Sequence, residues 1–394
     1  MGDSLLAMDE LSSYRAEFPI LASRTYLISA SLGPLSNRSR QLALDHLGLW
    51  SRLGPEELWF EHAFPRLQKC REQFSRLIGA EVDEVAVITS VSAGLAAIGS
   101  CLDLNARPRI VLSAMDFPTN HHVWRSHERI GAELDVVPSA DGIRVHPEDY
   151  VSRIDERTSL VNVNRVLFES SFILDMDPIV DAARANGAYV AVDDFHGSGM
   201  VPIDVHAAGI DLLVTGVLKW LCGGQGIAFL YCRRDLIEQL NPLNVGWFGT
   251  QDPFDFDRSR LRLRNDARRF ETGTFPLPQA WTASGGLEII LEVGVDRIRE
   301  RNQELTRRVI SGADELGLEL MSPRSDDERA GLVRVRIPGG REKAEEALHR
   351  LFERDVVLDS RNDCFRIAPH FFNNESDVDR CFEELKSVMG DLGL

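Results

Sequence analysis

The sequence predicts an α/β fold, a large domain built on a mostly parallel sheet, with a smaller α+β domain after it. Three observations carry this expectation. Short β-rich runs alternate with helical patterns from about residue 85 to 232, as βαβ units do. At 394 residues the chain is longer than one hydrophobic core usually serves, and its 44% hydrophobic content suffices for a globular interior. Long helical patterns at about 278 to 317 then precede two βα-like units that run to Leu394.

Taken in order, residues from about 37 to 79 carry helical periodicity, as in Arg40-Gln41-Leu42-Ala43-Leu44-Asp45-His46-Leu47, and predict two helices. Strands are expected at Val85 to Thr89, Arg109 to Leu112, Leu160 to Val163, Tyr189 to Val192, Leu212 to Thr215 and Ile227 to Tyr231. From Asn241 to Phe270 the chain is loop-like and rich in Asp, Arg and Phe. The expected division is an N-terminal segment, 1–36, packing on the small domain, a large domain, 37–275, and a small domain, 276–394.

A formal net charge of -17 argues against nucleic-acid or anionic-membrane partners, which need a basic footprint. The cysteines (Cys70, Cys101, Cys222, Cys232, Cys364, Cys381) form no CxxC pair, and reduced thiols are the simplest account. Met1-Gly2-Asp3-Ser4-Leu5-Leu6 is acidic and has no basic n-region, and no apolar run approaches the roughly 20 residues of a membrane span. A soluble, cytoplasmic protein is expected.

Chemistry is concentrated at predicted strand ends. Lys219 lies in Thr215-Gly216-Val217-Leu218-Lys219-Trp220-Leu221-Cys222-Gly223-Gly224, where a charged ammonium is costly to bury; the ordinary alternative is an ammonium that snorkels to water. The run Val190-Ala191-Val192-Asp193-Asp194-Phe195-His196 delivers two acids and a histidine to the edge where ligands collect in α/β sheets, although an Asp capping the following turn fits equally well. Ser90-Val91-Ser92-Ala93-Gly94 opens a helix whose exposed amides suit a phosphate, with Ser92 as an ordinary N-cap the plainer reading. Phe117, in Asp116-Phe117-Pro118, offers an aromatic face to a planar ring or simply to the core. His121-His122 has no second cluster of ligand spacing, so no metal site is expected.

In their order, the glycine-rich turn, Phe-Pro segment, Asp-x-x-His and strand-end lysine resemble the class V aminotransferase group of fold-type I pyridoxal 5'-phosphate enzymes. That group includes cysteine desulfurases, kynureninases and isopenicillin N epimerase-like proteins. The likeness extends from Thr25-Tyr26-Leu27-Ile28-Ser29-Ala30-Ser31-Leu32-Gly33-Pro34 to Arg366-Ile367-Ala368-Pro369-His370. It implies a seven-stranded, mostly parallel sheet flanked by helices, pyridoxal 5'-phosphate as cofactor, and a homodimer with active sites at its interface. It further implies that Lys219 binds the cofactor covalently and later moves the Cα proton, that Asp193 pairs the ring nitrogen, and that His196 lies near the phenolic oxygen. By the same resemblance Phe117 stacks on the ring, Ser92 and Ala93 cradle the phosphate, Thr215 joins the cofactor site, and Trp247 and Thr274 reach across the dimer. Arg366 would hold the substrate α-carboxylate. Asn164 and Arg165 are further candidates for substrate contact, and Phe168 for shielding the ring, while Glu169 reads rather as a cross-paired charge.

Departures from the family pattern guide the functional reading. Leu358 to Arg366 leaves no room for the cysteine-bearing loop of desulfurases, and Leu218 stands where desulfurases place histidine and kynureninases tyrosine. Thr250 and Thr274 replace polar residues that kynureninases use on their substrate. The expectation is β-elimination of a cysteine S-conjugate, with C–S cleavage, as in natural-product members that process cysteine conjugates in lincosamide antibiotic biosynthesis. Decarboxylation-linked deamination, transamination, epimerisation, kynurenine cleavage and a non-catalytic sensor or scaffold are the alternatives.

Overall fold

Two-residue alternation of apolar side chains builds both faces of the large sheet at once. A computed structural model describes residue 11 and residues 13–394 of the protein; the acidic start, Met1 to Leu6, lies outside the described residues. After a short first strand, β1 (Thr25–Tyr26), come β2 (Val85–Ile88), β3 (Arg109–Ser113), β4 (Glu133–Val137), β5 (Thr158–Asn164), β6 (Tyr189–Asp193), β7 (Leu212–Gly216) and β8 (Ala228–Cys232). These form a seven-stranded sheet in the order β2-β8-β7-β6-β5-β3-β4, in which only β8 runs against the rest. Val87, Val111, Val161, Val190, Leu213 and Phe229 enter one core, while their neighbours Ala86, Ile110, Leu160, Ala191, Leu212 and Leu230 enter the other. Helices Phe64–Ile78, Asp177–Ala185 and Leu277–Val293 cover the first face; Val91–Gly99 and Pro118–His127 cover the second. Burial on both faces explains why these strands read as continuous apolar runs.

Each of the six expected strands is present, with ends moved by one or two residues. The seventh, β4, was not anticipated, because Glu133 and Asp135 interrupt its pattern. It lies at the sheet's edge, beyond β3, where only part of each side chain needs cover.

The second, smaller body has its own core. There β9 (Glu319–Leu320), β10 (Val333–Arg336), β12 (Asp359–Arg361) and β13 (Cys364–Ile367) form an antiparallel sheet in the order β12-β13-β10-β9. Leu305 and Val309 of helix Val295–Glu315, Leu351 of Gly340–Glu353, and Leu385 of Glu375–Leu392 pack against it. The chain's early segment joins this body: β1 pairs in parallel with β11 (Val356–Val357), and Leu27 enters its core.

From β1 the chain runs back to the large sheet, where Gly33 donates its N–H to the Leu218 carbonyl at 2.7 Å. A Cβ at Gly33 would lie 2.2 Å from the Lys219 carbonyl oxygen, so only glycine permits this approach. Gly33→Ala is expected to lower stability by an amount typical of overpacking, about 1–3 kcal/mol, and the denaturation midpoint with it. An unchanged midpoint in urea or on heating would contradict the contact.

Candidate active site

Parallel strands deliver their carboxyl ends to one edge, and the groups singled out from the sequence meet there. Asp193 and Asn164 are the last residues of β6 and β5, Lys219 follows β7, Ser90 to Ser92 follow β2, and Phe117 follows β3. With Arg361 and Arg366 of the small domain and Ser31 of the early segment they line a cavity of about 330 Å³. Its remaining walls include Phe168, Phe195 and Leu218.

Part of the Lys219 side chain opens on the cavity, but its amine is packed 2.6 Å from His196 Nε2 and 4.2 Å from the centre of the Phe195 ring. Burial pulls the amine pKa down to about 7, and Arg366 and Arg361 add to the effect against the opposing charge of Asp193. His196 is held neutral, well below the ordinary histidine range, by burial and by the lysine beside it. Phe195 reaches the lysine because Gly216 has no side chain; a Cβ there would meet the ring at 2.3 Å.

Asp193 accepts hydrogen bonds from Asn120 Nδ2 at 2.9 Å and from the Phe195 amide at 3.1 Å. Burial raises its carboxyl above the usual range, so a cationic partner would be held tightly there. Behind it, burial lifts Asp116 to about 7 although Asn162 Nδ2 donates to it at 2.9 Å. Phe117 stands edge-on to Phe168, with ring centres 5.1 Å apart, and both face the cavity.

These residues fit pyridoxal 5'-phosphate. Asp193 would take the ring nitrogen, Lys219 the aldehyde carbon and Phe117 a ring face. Asn164, at the end of β5, lines the cavity and would suit a ring oxygen. At the start of helix Val91–Gly99 the first-turn amides have no carbonyl further back in the helix, and Ser90 and Ser92 face the cavity beside them. Ser90, rather than Ser92, is the N-cap, accepting from Ala93 N–H at 3.1 Å. That bond occupies the Ala93 amide, and Ala93 lies outside the cavity's lining.

Arg165 departs from expectation. Its Nε and Nη2 grip Asp194 at 2.6 and 3.0 Å, and its remaining donors reach the Val201 and Pro202 carbonyls, so it holds the turn after β6 together and does not face the cavity. Thr215 is buried, with its hydroxyl on the Asp194 and Gly216 carbonyls. Trp247 packs among Trp59, Phe248, Phe254 and Phe256, and Thr274 lines a separate small groove behind the Ser90 turn, so neither borders the Lys219 cavity of its own chain. Glu169 pairs with Arg334 at 2.7 Å, as a cross-paired charge would.

Ser31, Arg361 and Asp359 were not anticipated. Arg366 donates to the Phe168 carbonyl at 2.7 Å, to Ser31 Oγ at 2.6 Å and to Asp359, which also accepts from Ser31 and Arg361. No local motif marks Ser31 or Asp359, since the small domain and the early segment bring them to Arg366 from distant parts of the chain.

A family model, aminotransferase class-V, matches residues 60–379. An uncharacterized aminotransferase of Bacillus subtilis, YcbU, is 32% identical over 372 residues, covering 94% of this chain and 96% of its own. A kynureninase of Deinococcus radiodurans is 29% identical, with 99% and 96% covered, and an isopenicillin N epimerase of Streptomyces clavuligerus is 29% identical, with 82% and 85% covered. Among solved structures, a cysteine desulfurase of Thermococcus onnurineus NA1 superposes with a TM-score of 0.86 at 21% identity, covering 96% of this chain and 98% of that one. A cystine C–S lyase complexed with cysteine persulfide gives 0.86 at 20%, with 93% and 98% covered. At these identities the likeness establishes the fold.

Two outcomes are expected from this geometry. Capture of pyridoxal 5'-phosphate by the apo chain, followed by absorbance, should rise with pH through about 7 and level off above it, because the unprotonated amine is the nucleophile. A rise continuing towards the ordinary lysine range would contradict the depressed pKa. Arg165→Met should cost about 3–5 kcal/mol of stability by leaving buried Asp194 without its counter-ion. A melting temperature equal to wild type would contradict the structural role of this pair.

Proposed function

The chain belongs to the class-V aminotransferase family and is a pyridoxal 5'-phosphate enzyme, and from that premise we propose that it cleaves the C–S bond of an S-substituted cysteine by β-elimination. In this reaction the substrate and one water become a thiol, pyruvate and ammonium. Bound cofactor supplies an electron sink for the charge that develops at Cα.

The protein's residues divide the remaining work. Arg366 would hold the α-carboxylate, and Asp193 would pair the ring nitrogen. Lys219 would take the Cα proton; an amine with a pKa of about 7 suits both removal and return of a proton near neutrality. His196 lies 2.6 Å from the same amine and packs it in place.

Leu218 is the observation that favours this reading. It lines the cavity next to Lys219 and has no proton to give a departing group. With no donor on that wall, a β-substituent stable as an anion is favoured, and a thiolate, with a thiol pKa of about 8.5, meets that condition far better than hydroxide. No cysteine lines the cavity, and Cys364 is buried with its thiol raised to about 11 by burial, so a persulfide-forming thiol is not supplied there. Phe168, on the cavity wall, leaves room for a bulky S-substituent to pack an apolar part against it.

A homodimer and a cytoplasmic setting are part of this reading. Leu44, Leu47 and Trp50 form an exposed apolar stripe on helix Asn37–Trp50, with exposed Leu32 and Leu35 before it, and such patches support a partner surface. All six cysteines are free. Among the described residues no helix is long and apolar enough to cross a membrane.

Incubation with S-alkyl cysteines should release thiol and pyruvate in equal amounts. Keto acid without thiol would instead indicate transamination, and carbon dioxide would indicate decarboxylation. Gel filtration should show a dimer that Leu47→Glu with Trp50→Glu converts to monomer, with activity lost; a fully active monomer would contradict an interface site.

A further inference from the structure

Arg366 is already partly occupied by an acid of its own chain. Its side chain is 2% exposed, and Nη2 donates to Asp359 and Ser31 while Nη1 holds the Phe168 carbonyl. Nε is buried without any partner. A carboxylate gripped side-on by arginine uses Nε and Nη2 together, as Asp194 does on Arg165 in this molecule. On Arg366 that edge is half taken by Asp359 and sealed at Nε.

Asp359 has a second partner ready. Its other oxygen accepts from Arg361 Nη1, and Arg361, unlike Asp359, lines the cavity and is partly exposed. The β12–β13 pairing sets Asp359 directly opposite Arg366, with Arg361 two residues along the same strand. Both arginines therefore stay within reach of a small rotation of the Asp359 side chain.

We propose that Asp359 is a positioning residue that occupies the carboxylate site of Arg366 in the free enzyme and yields it to the incoming substrate carboxylate by withdrawing onto Arg361. This rests on the amino-acid reading above. The exchange keeps Arg366 oriented and paired while the cavity is empty, avoiding an uncompensated buried charge. It also makes occupancy of the site conditional on a ligand carboxylate strong enough to compete.

The test measures binding of 3-(methylthio)propionate, the S-methylcysteine skeleton without its amino group, to holoenzyme by titration calorimetry. Removing the competing charge in Asp359→Asn should tighten binding about tenfold, the order of a hydrogen bond to a charged group. Removing the fallback partner in Arg361→Gln should weaken binding several-fold, and the double variant should bind like Asp359→Asn. Weaker or unchanged binding in Asp359→Asn would overturn the exchange, as would an Arg361→Gln loss that persists in the double variant, since Arg361 would then be touching the ligand itself. If Asp359→Asn fails to fold, Asp359→Ser replaces it in both the single and the double variant, with the same expected and overturning results. Wild-type holoenzyme that binds neither this acid nor S-methylcysteine would overturn the exchange together with the amino-acid reading, whereas binding by wild type with unmoved variants would overturn the exchange alone.

Discussion

An amine whose pKa is pulled down from the ordinary lysine range to about 7 is the constraint around which this structure is arranged. Lysine loses its proton here because water is excluded from it, and that exclusion requires the turn after β7 to be held still. Three parts of the chain hold it. The early segment binds the Leu218 carbonyl through Gly33, and Phe195 packs under the turn against Gly216. His370 of the small domain binds the Trp220 carbonyl at 2.8 Å, and its Nδ1 accepts from the Phe371 amide, so the proton sits on Nε2. Burial lowers His370 to about 4, which keeps that donor in one form across the neutral range.

From this arrangement the cavity inherits its division of labour. Charged and polar groups come from the large sheet at one end and from the small domain at the other, with aromatic walls between them. Arg366 exemplifies the second group: it gains a place in the site only because the small-domain sheet, the early segment and the Phe168 carbonyl converge on it. Leu218 removes a proton donor from the wall nearest the reacting amine. On the proposed reaction, substrate choice turns on how readily the β-substituent leaves and on what can displace Asp359, while the fold itself is shared with relatives of other activities.

Much of this was legible in the sequence because it rests on local pattern. Apolar runs doubly buried in a sheet, a lysine at a strand end, and acids delivered by β6 all leave marks in consecutive residues. The edge strand β4 left none, since its exposed acids break the alternation. Ser90 was passed over for Ser92 because two serines spaced by one residue are equally good caps on paper, and only the helix's first turn chooses between them. Arg165 read as a substrate contact because a charged residue at a strand end points to function; its partner, Asp194, is another strand-end residue 29 positions away, and that pairing is tertiary. Ser31 and Asp359 were hidden for the same reason, separated by 328 positions yet joined at Arg366.

The central claim assigns the cofactor to one lysine. Lys69 and Lys386 are exposed, and Lys343 sits in a solvent-accessible pair with Glu346, so none shares the surroundings of Lys219. Borohydride reduction of the holoenzyme followed by peptide mass mapping tests this directly. A reduced pyridoxyl phosphate mass on the peptide containing Lys219, and on no other lysine, is the predicted result. Label on Lys69, Lys343 or Lys386 in place of Lys219, or no stable label at all, would contradict the account.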